Sequence, residues 1–478
     1  MLTPSEEMGL SAMRLSARVR AAMGKLGDLR LAELLRAIPQ RARADHLWYL
    51  HEGQVETVRL LARPMTALPE QLSYIHSVSQ TVHRALKHLP SLYFSDPRVR
   101  AILQLPAAEE EWLRTCWGGR QRDANPVFGR LDAVVDFTTA HWKESLRFLE
   151  PNMSGIGGLH MLPTTDSIVL DVVARALSEI DPGIELSRVA DIRDLLMQYV
   201  MEHLDLIGRP GRTICFIEPK YAGDGPDEQS VVAAYLHAHY DVKILHADPA
   251  ELRIERGEVR YGDHVVDVGY RDYSVESLLE LQSEGVDVSP MRQLFLEDRM
   301  VSSIAAEIDQ KSCWEVFTDP ELADAHFSTE ERQVFRRHVL WTRLVSDRKT
   351  TLPGGGQGSL LEYVRDARDS LVLKPNRSFG GYGVTVGPAV DESTWTAAIE
   401  RALRDPERWV VQALTPLPVH DFPVPDGAGS VVQEPFYTVY GFCPTSDGVA
   451  ALGRASQKQV AHSAQHGGLF SLLRGQVR

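Results

Sequence analysis

LVLKPNRSFGGYGVTVG, residues 371–387, reads as an apolar strand ending in a lysine, then a loop with three glycines, then a second strand. Backbone amides freed of side chains can wrap phosphate oxygens, and a lysine entering from the adjacent strand neutralises their charge. Glycine is also the default residue of turns, so Gly380, Gly381 and Gly383 alone specify no more than a β-hairpin. Lys374 is the discriminating residue, because a buried strand seldom carries a lysine unless its charge has a partner.

Working outward, WVVQALTPLPVHDF (409–422) is an apolar strand leading into Gln412, Ala413 and Leu414. Such a segment can act as a hinge whose backbone reads a purine edge while its apolar side chains pack on the ring, although the same pattern describes any core strand. The last third of the chain alternates expected helices, at about 301–316, 329–337 and 392–404, with the strands LVLKP, GVTVG, WVVQAL, PFYTVYGF and VAALGRAS. PGGGQG at 353–358 reads as a mobile loop.

Ahead of this region, TICFI (213–217), the apolar-periodic QSVVAAYLHAHY (229–240) and DVKILHA (241–247) form a strand-helix-strand unit, continued by short strands around RIERGEVRYG and HVVDVGY. A Rossmann-like α/β unit follows. Its first loop, EPKYAGDGPDE, lacks Gly-x-Gly-x-x-Gly, so dinucleotide binding is not expected there. Earlier still, RLDAVVDF and SLRFLEPN are extended runs joined by a polar stretch, which predicts a β-hairpin with a long loop, closed by the turn SGIGGLH. Residues i and i+2 of a strand share a face, so Glu150 and Asn152 can offer oxygens to one hard cation, with Asp132 across the hairpin adding a carboxylate. Each of these residues singly is accounted for by a polar strand edge; the combination points to magnesium.

From about residue 5 to 125, Leu72, Ile75, Val78, Val82, Leu86 and Leu89 recur at steps of three and four, and the segment reads as a mainly helical layer. With 478 residues, two to four packed units are expected: a helical region 1–125, a segment 126–210 with the metal ligands, the Rossmann-like unit 211–300, and a nucleotide-binding unit 301–478. The formal charge of −14, from 51 basic and 65 acidic residues, argues against a nucleic-acid surface. The four cysteines have no Cys-x-x-Cys spacing, so neither zinc nor a disulfide framework is signalled, and they are expected reduced and mostly buried. No basic-then-apolar leader and no run of about 18 apolar residues is present, so no membrane association is expected and a cytoplasmic location is.

A lysine strand, a glycine loop, a hinge strand, and Arg-x-Asp followed by Glu-x-Asn together resemble the ATP-grasp superfamily of carboxylate-amine ligases. The Glu-x-Asn strand usually comes last; here it precedes Lys374 by more than 200 residues. That order resembles the circularly permuted ATP-grasp proteins and the glutathionylspermidine synthase group, and DVKILHADPAELRIERGEVRYGDHVVDVGYRDY resembles their pre-ATP-grasp segment. The implied fold is α/β (α+β), with permuted ATP-grasp segments, a Rossmann-like pre-ATP-grasp domain and a helical N-terminal region outside the likeness.

The resemblance implies ATP and Mg2+ as cofactors. Lys374 and Lys311 become nucleotide-contacting lysines, Gly380, Gly381 and Gly383 the phosphate lid, and Gln412 and Leu414 the base-contacting hinge, with Gln412 standing where a Glu is common. Asp132, Glu150 and Asn152 become the metal ligands; because 17 residues lie between Asp132 and Glu150, Asp136 is a rival. Arg130 and Arg454 become the catalytic arginines, and Ser154, Gly155 and Arg271 candidate substrate contacts. His462 and His466 are assigned no chemistry. The partners implied are a small-molecule acid, an amino acid or peptide-like acid in specialised biosynthesis, and an amine, with self-association into a homo-oligomer left open. A kinase-like use of the same site and a non-catalytic nucleotide-binding scaffold are the rival readings.

Overall fold

The computed structural model describes residues 2–51, 54–221, 225–226, 228–378, 381–405, 408–426, 429–459 and 467–477. The apolar stripe read at steps of three and four forms the helix Pro69–Ser95, and all six of its spaced residues are buried. Pro69 starts this helix, where its missing N–H costs nothing. Asp96 stops it by turning extended, then caps the short helix Pro97–Ile102 by accepting from the Arg98 amide at 2.8 Å. The first helix, Pro4–Ala44, opens on a Thr3–Glu6 capping box and is kinked at Gly27, whose φ is +73°.

Residues 5–125 are not wholly helical. Three short strands, Trp48–His51, Gln54–Thr57 and Met65–Ala67, lie between the first two helices. They are too short to show a period, and Met65–Ala67 is extended because it pairs in parallel with Gly467–Val477, some 400 residues away in sequence. Through it the N-terminal region joins an eight-stranded sheet. The order runs Met65–Ala67, Gly467–Val477, Val449–Ser456, Val431–Pro444, Arg130–Val134, Arg147–Asn152, with Val419–Pro425 also on Val431–Pro444 and Ile184–Arg188 also on Gly467–Val477. The helix Pro69–Ser95 packs on this sheet, sharing a core that includes Ile75, Val82, Phe442 and Phe470.

A smaller antiparallel sheet carries the lysine strand in the order Thr342–Leu344, Trp409–Ala413, Leu371–Pro375, Thr385–Val386. Trp395 and Ile399 of the helix Glu392–Arg404 cover it, within a core of its own. The Rossmann-like unit has the expected parallel strands, ordered Met300–Val301, Val268–Arg271, Thr213–Ile217, Lys243–Ala247, and the crossover helix Gln229–His239.

PGGGQG spans the turn of a small hairpin, with Gln357 and Gly358 already on its second strand, Gln357–Ser359, opposite Lys349–Thr351. One further expectation is corrected. The helix expected at 301–316 is broken into a 3-10 turn, Ile304–Ile308, and a helix, Cys313–Thr318, because Asp309 leaves the helical region at φ −82°, ψ 79°. All four cysteines are free and buried. Among the described residues, no helix is long and apolar enough to cross a membrane.

Candidate active site

The large and small sheets face each other across a cavity of about 410 Å³, within the size range of small-molecule sites. The large-sheet wall is built on the predicted hairpin. Asp132 pairs with Glu150 and Arg130 with Asn152, and the register shifts between Asp132 and Ala133. Asp132 is buried and accepts from Arg130 Nε at 3.2 Å and from Arg454 Nη2, on the strand Val449–Ser456, at 2.5 Å. Burial pushes the Asp132 carboxyl up, but Arg454 and Arg130 outweigh it and hold the group below its ordinary value. Arg454 answers in kind: burial lowers it, and Asp132 more than restores it.

Arg130 reaches past the sheet because position 441 on the neighbouring strand is glycine. A Cβ there would come 2.4 Å from Arg130 Cδ. The guanidinium then donates from Nη1 to the Gly157 carbonyl at 2.7 Å, tying the hairpin to the loop that follows it.

The small-sheet wall contributes Lys374, whose ammonium donates to Gln412 Oε1 at 2.9 Å. Gln412 is itself fixed, since its amide nitrogen donates to the Leu149 carbonyl at 3.1 Å and to Thr342 Oγ1 at 3.0 Å, leaving only its oxygen to face the lysine. Desolvation holds Lys374 below the ordinary lysine value; Glu150 opposes that shift and Lys311 reinforces it. Lys311 lines the same cavity, its ammonium 3.5 Å from Glu150 Oε2 and donating to the Ser378 carbonyl.

The break at Asp309 is what puts Lys311 there. Asn376, just after the lysine strand, accepts from the Lys311 amide on its carbonyl at 3.1 Å and from the Ser312 amide on Oδ1 at 2.9 Å. Asn376 is thus a positioning residue that the sequence reading passed over; its signal was an asparagine directly following Lys374-Pro375. The apolar end of the cavity includes Leu340, Val372, Val386 and Leu414. The Leu414 amide is not free to read a base, for it donates to the Ser370 carbonyl at 2.8 Å.

Gly381 and Tyr382 line the mouth, and Gly381 and Gly383 have φ of +74° and +73°, which only glycine adopts without strain. Gly380 lies outside the described residues, as do His462 and His466.

The remaining candidates are not on the cavity wall. Asn152 sits beyond Glu150 on the same strand, with Nδ2 buried and unpartnered. Ser154 and Gly155 belong to the following loop, where Gly155, at φ +57°, leaves room for Asp272. Arg271 is fully enclosed. Its guanidinium donates to Glu307 at 2.5 Å and to the carbonyls of Tyr273, Ser302 and Ser303, so its donors hold the fold together instead of meeting a substrate. Asp136 follows the end of the strand Arg130–Val134 and caps the next turn by accepting from the Thr138 amide at 2.9 Å; Asp132 is the aspartate on the cavity.

Among the described residues, no group of three His, Cys, Asp or Glu side chains is placed to cage a metal. Asp132 and Glu150, directly opposed on the cavity, fit a magnesium that takes its other oxygens from phosphate and water; Asn152, off the cavity wall, could join them only by turning its side-chain oxygen inward.

No family model matches the chain. A 65-residue segment is 40% identical to the putative glutamate–cysteine ligase 2-3 of Frankia alni and covers 14% of this chain and 8% of that protein. A 65-residue segment is 38% identical to the putative glutamate–cysteine ligase 2-2 of Frankia casuarinae, again 8% of its length. The chain therefore matches under a tenth of these relatives. A 115-residue segment, 22% of this chain, is 28% identical to the uncharacterized protein ML0605 of Mycobacterium leprae and covers 20% of it. In three dimensions the chain is similar to a glutathione synthetase-like effector of Globodera pallida, with a TM-score of 0.60 over 94% of both chains at 12% identity. That likeness shows a shared mixed α/β fold.

Proposed function

We propose that the chain is an ATP-dependent carboxylate-amine ligase of permuted ATP-grasp type. The observation that carries this reading is the meeting of Lys311, Lys374 and Arg454 with Asp132 and Glu150 in one cavity that has an apolar end. Three cations suit a triphosphate, two carboxylates suit its magnesium, and the apolar end suits a base. The short segments alike to glutamate–cysteine ligases, and the fold shared with a glutathione synthetase-like protein, agree with it.

Lys374 and Lys311 would bind and orient the phosphates, with Asp132, Glu150 and Asn152 holding magnesium, which supplies charge neutralisation on the phosphate oxygens. An oxygen of the acid substrate attacks the γ-phosphorus as the bond to ADP breaks. The amine nitrogen then attacks the acyl carbon, loses a proton and expels inorganic phosphate. Arg454, on the cavity, would hold the charge that gathers on the transferring group, and Arg130, off the cavity wall, would act through the Asp132 they share; because the chemistry is positioning and electrostatics, no nucleophilic side chain is required. The loop after Asn152 is the natural seat for the acid, since Arg130 holds it beside the hairpin.

A thermal-shift titration with a non-hydrolysable ATP analogue and magnesium tests the site, because a ligand bound only by the folded state raises the melting temperature. Wild type should shift upward only with magnesium, and Lys374→Ala should not. ADP release requiring both an acid and an amine then marks a ligase. Release with one substrate alone would make the protein a kinase, and a folded protein with no shift would leave a scaffold.

A further inference from the structure

The strand Val431–Pro444 has a second face. Tyr437 and Val439 line the cavity, so Phe436, Thr438 and Tyr440 point away from it, and all three are fully buried. His420 pairs with Phe436 across the neighbouring strand and therefore shares this back face, together with Phe422 two residues on. Onto it comes Arg63, from the segment ahead of Met65–Ala67, with its guanidinium 4.9 Å above the centre of the Phe422 ring.

Arg63 is 5% exposed, and the hydrogen bond its guanidinium makes runs from Nη2 to the thioether of Met65 at 3.3 Å, a weak acceptor. Among the described residues no carboxylate forms an ion pair with it. Asp136 and Asp421 influence this cluster electrostatically, but among the described residues neither forms a hydrogen bond or ion pair with it, and Asp136 Oδ1 is taken by Thr138. Burial, with Arg20 nearby, brings Arg63 down to about 10, so it is still a cation at neutral pH. Arg20, on the first helix, adds positive charge, and Arg59 lies over the Phe436 ring. Two buried polar atoms of the same face, Tyr440 Oη and His420 Nε2, have no hydrogen-bond partner among the described residues.

A ring contact returns less than a buried, unpaired guanidinium loses on leaving water. The cavity treats its charges otherwise, pairing Asp132 twice. We infer that the back face of the large sheet is an oxyanion site distinct from the nucleotide cavity, in which a carboxylate or phosphate group completes Arg63, Tyr440 and His420. A planar fork of donors that shares a face, and an electrostatic influence, with a hydroxyl and an imidazole is suited to such a group.

The test is thermal-shift titration at low ionic strength with inorganic phosphate and, separately, acetate, against chloride at matched ionic strength. Arg63→Met keeps the packing length over Phe422 and removes the charge. Wild type and Lys374→Ala should show a saturable upward shift with at least one oxyanion, and Arg63→Met should bind it about tenfold or more weakly, as expected for loss of a charged hydrogen bond. If Arg63→Met does not fold, Tyr440→Phe, which keeps the ring, should weaken binding in the same direction. Response to phosphate alone, or to acetate alone, identifies the group accepted. A shift that chloride reproduces, that survives both Arg63→Met and Tyr440→Phe, or that vanishes in Lys374→Ala while Arg63→Met retains it, overturns the site and places any phosphate in the nucleotide cavity; the ligase reading stands or falls separately on the nucleotide titration.

Discussion

The two walls of the cavity handle charge differently. On the large-sheet wall, Asp132 is buried between Arg130 and Arg454, so charge is balanced within the wall. On the small-sheet wall, Lys374 rests against the neutral oxygen of Gln412, and desolvation is the main influence on it. Breaking a buried ion pair is expensive, whereas a lysine held by an amide keeps its charge uncompensated. The first wall is thus rigid before any ligand arrives, and the second holds a cation in reserve for an anion.

Three perturbations probe that contrast. The largest effect is expected from Asp132→Asn, which leaves two half-buried arginines without the buried carboxylate they share. Urea unfolding should show a loss of about 3–5 kcal/mol, and magnesium-dependent ADP release should disappear; a stability loss below about 1 kcal/mol would show that the wall is not charge-locked.

Gln412→Glu is the converse experiment, giving Lys374 a counter-charge. Calorimetric titration should show nucleotide analogue binding about tenfold weaker, equivalent to ~1.4 kcal/mol, with thermal stability held or raised. Tighter nucleotide binding in that variant would contradict the idea of a reserved cation.

The smallest effect concerns how the large-sheet wall is pinned. His338 contacts the Leu146 carbonyl at 3.1 Å and Tyr74 Oη at 2.8 Å, just ahead of the strand Arg147–Asn152. Burial depresses His338 to about 4, below its unfolded value of 6.5. Between those values the unfolded chain binds more protons, so its contribution is fully present above pH 6.5 and is lost as pH falls toward 4. Stability measured across this window should fall more steeply in wild type than in His338→Gln, by up to about 1 kcal/mol per pH unit. Parallel slopes would mean that the imidazole is free to protonate in the folded state.

Much of the small-sheet wall was legible in the sequence. The lysine strand, the glycine loop and the hinge strand are each local, and Lys374 stood out because an apolar run such as Leu371-Val372-Leu373 does not ordinarily lead straight into a charge. The hairpin was legible for the same reason, as two alternating runs flanking a polar stretch. Lys311 was found through the family resemblance alone, yet its placement comes from the break at Asp309 and from Asn376, neither of which carries a periodic signal. Arg271 was taken for a substrate contact, and Asp136 kept as a rival to Asp132, because nothing local distinguishes an arginine bound to Glu307 and to three carbonyls, or an aspartate capping a turn, from a ligand contact. The hinge segment lines the cavity with Gln412, Ala413 and Leu414, but the Leu414 amide goes to Ser370, a pairing with no local signal.

By itself the sequence determined the strands and helices long enough to show a period, the glycines that a left-handed backbone requires, and the supply of charged residues able to meet a phosphate and a metal. Only the tertiary structure decided which of them meet. Arg454 reaches Asp132 across 322 residues of chain, the Met65–Ala67 strand exists through a partner at the far end, and Arg63, on the back of the same sheet, has no ion-pair partner among the described residues. Propensity and turn chemistry act over a few residues, whereas strand order and the pairing of buried charges are set by burial of the whole core, a sum over contacts that no short window of sequence contains.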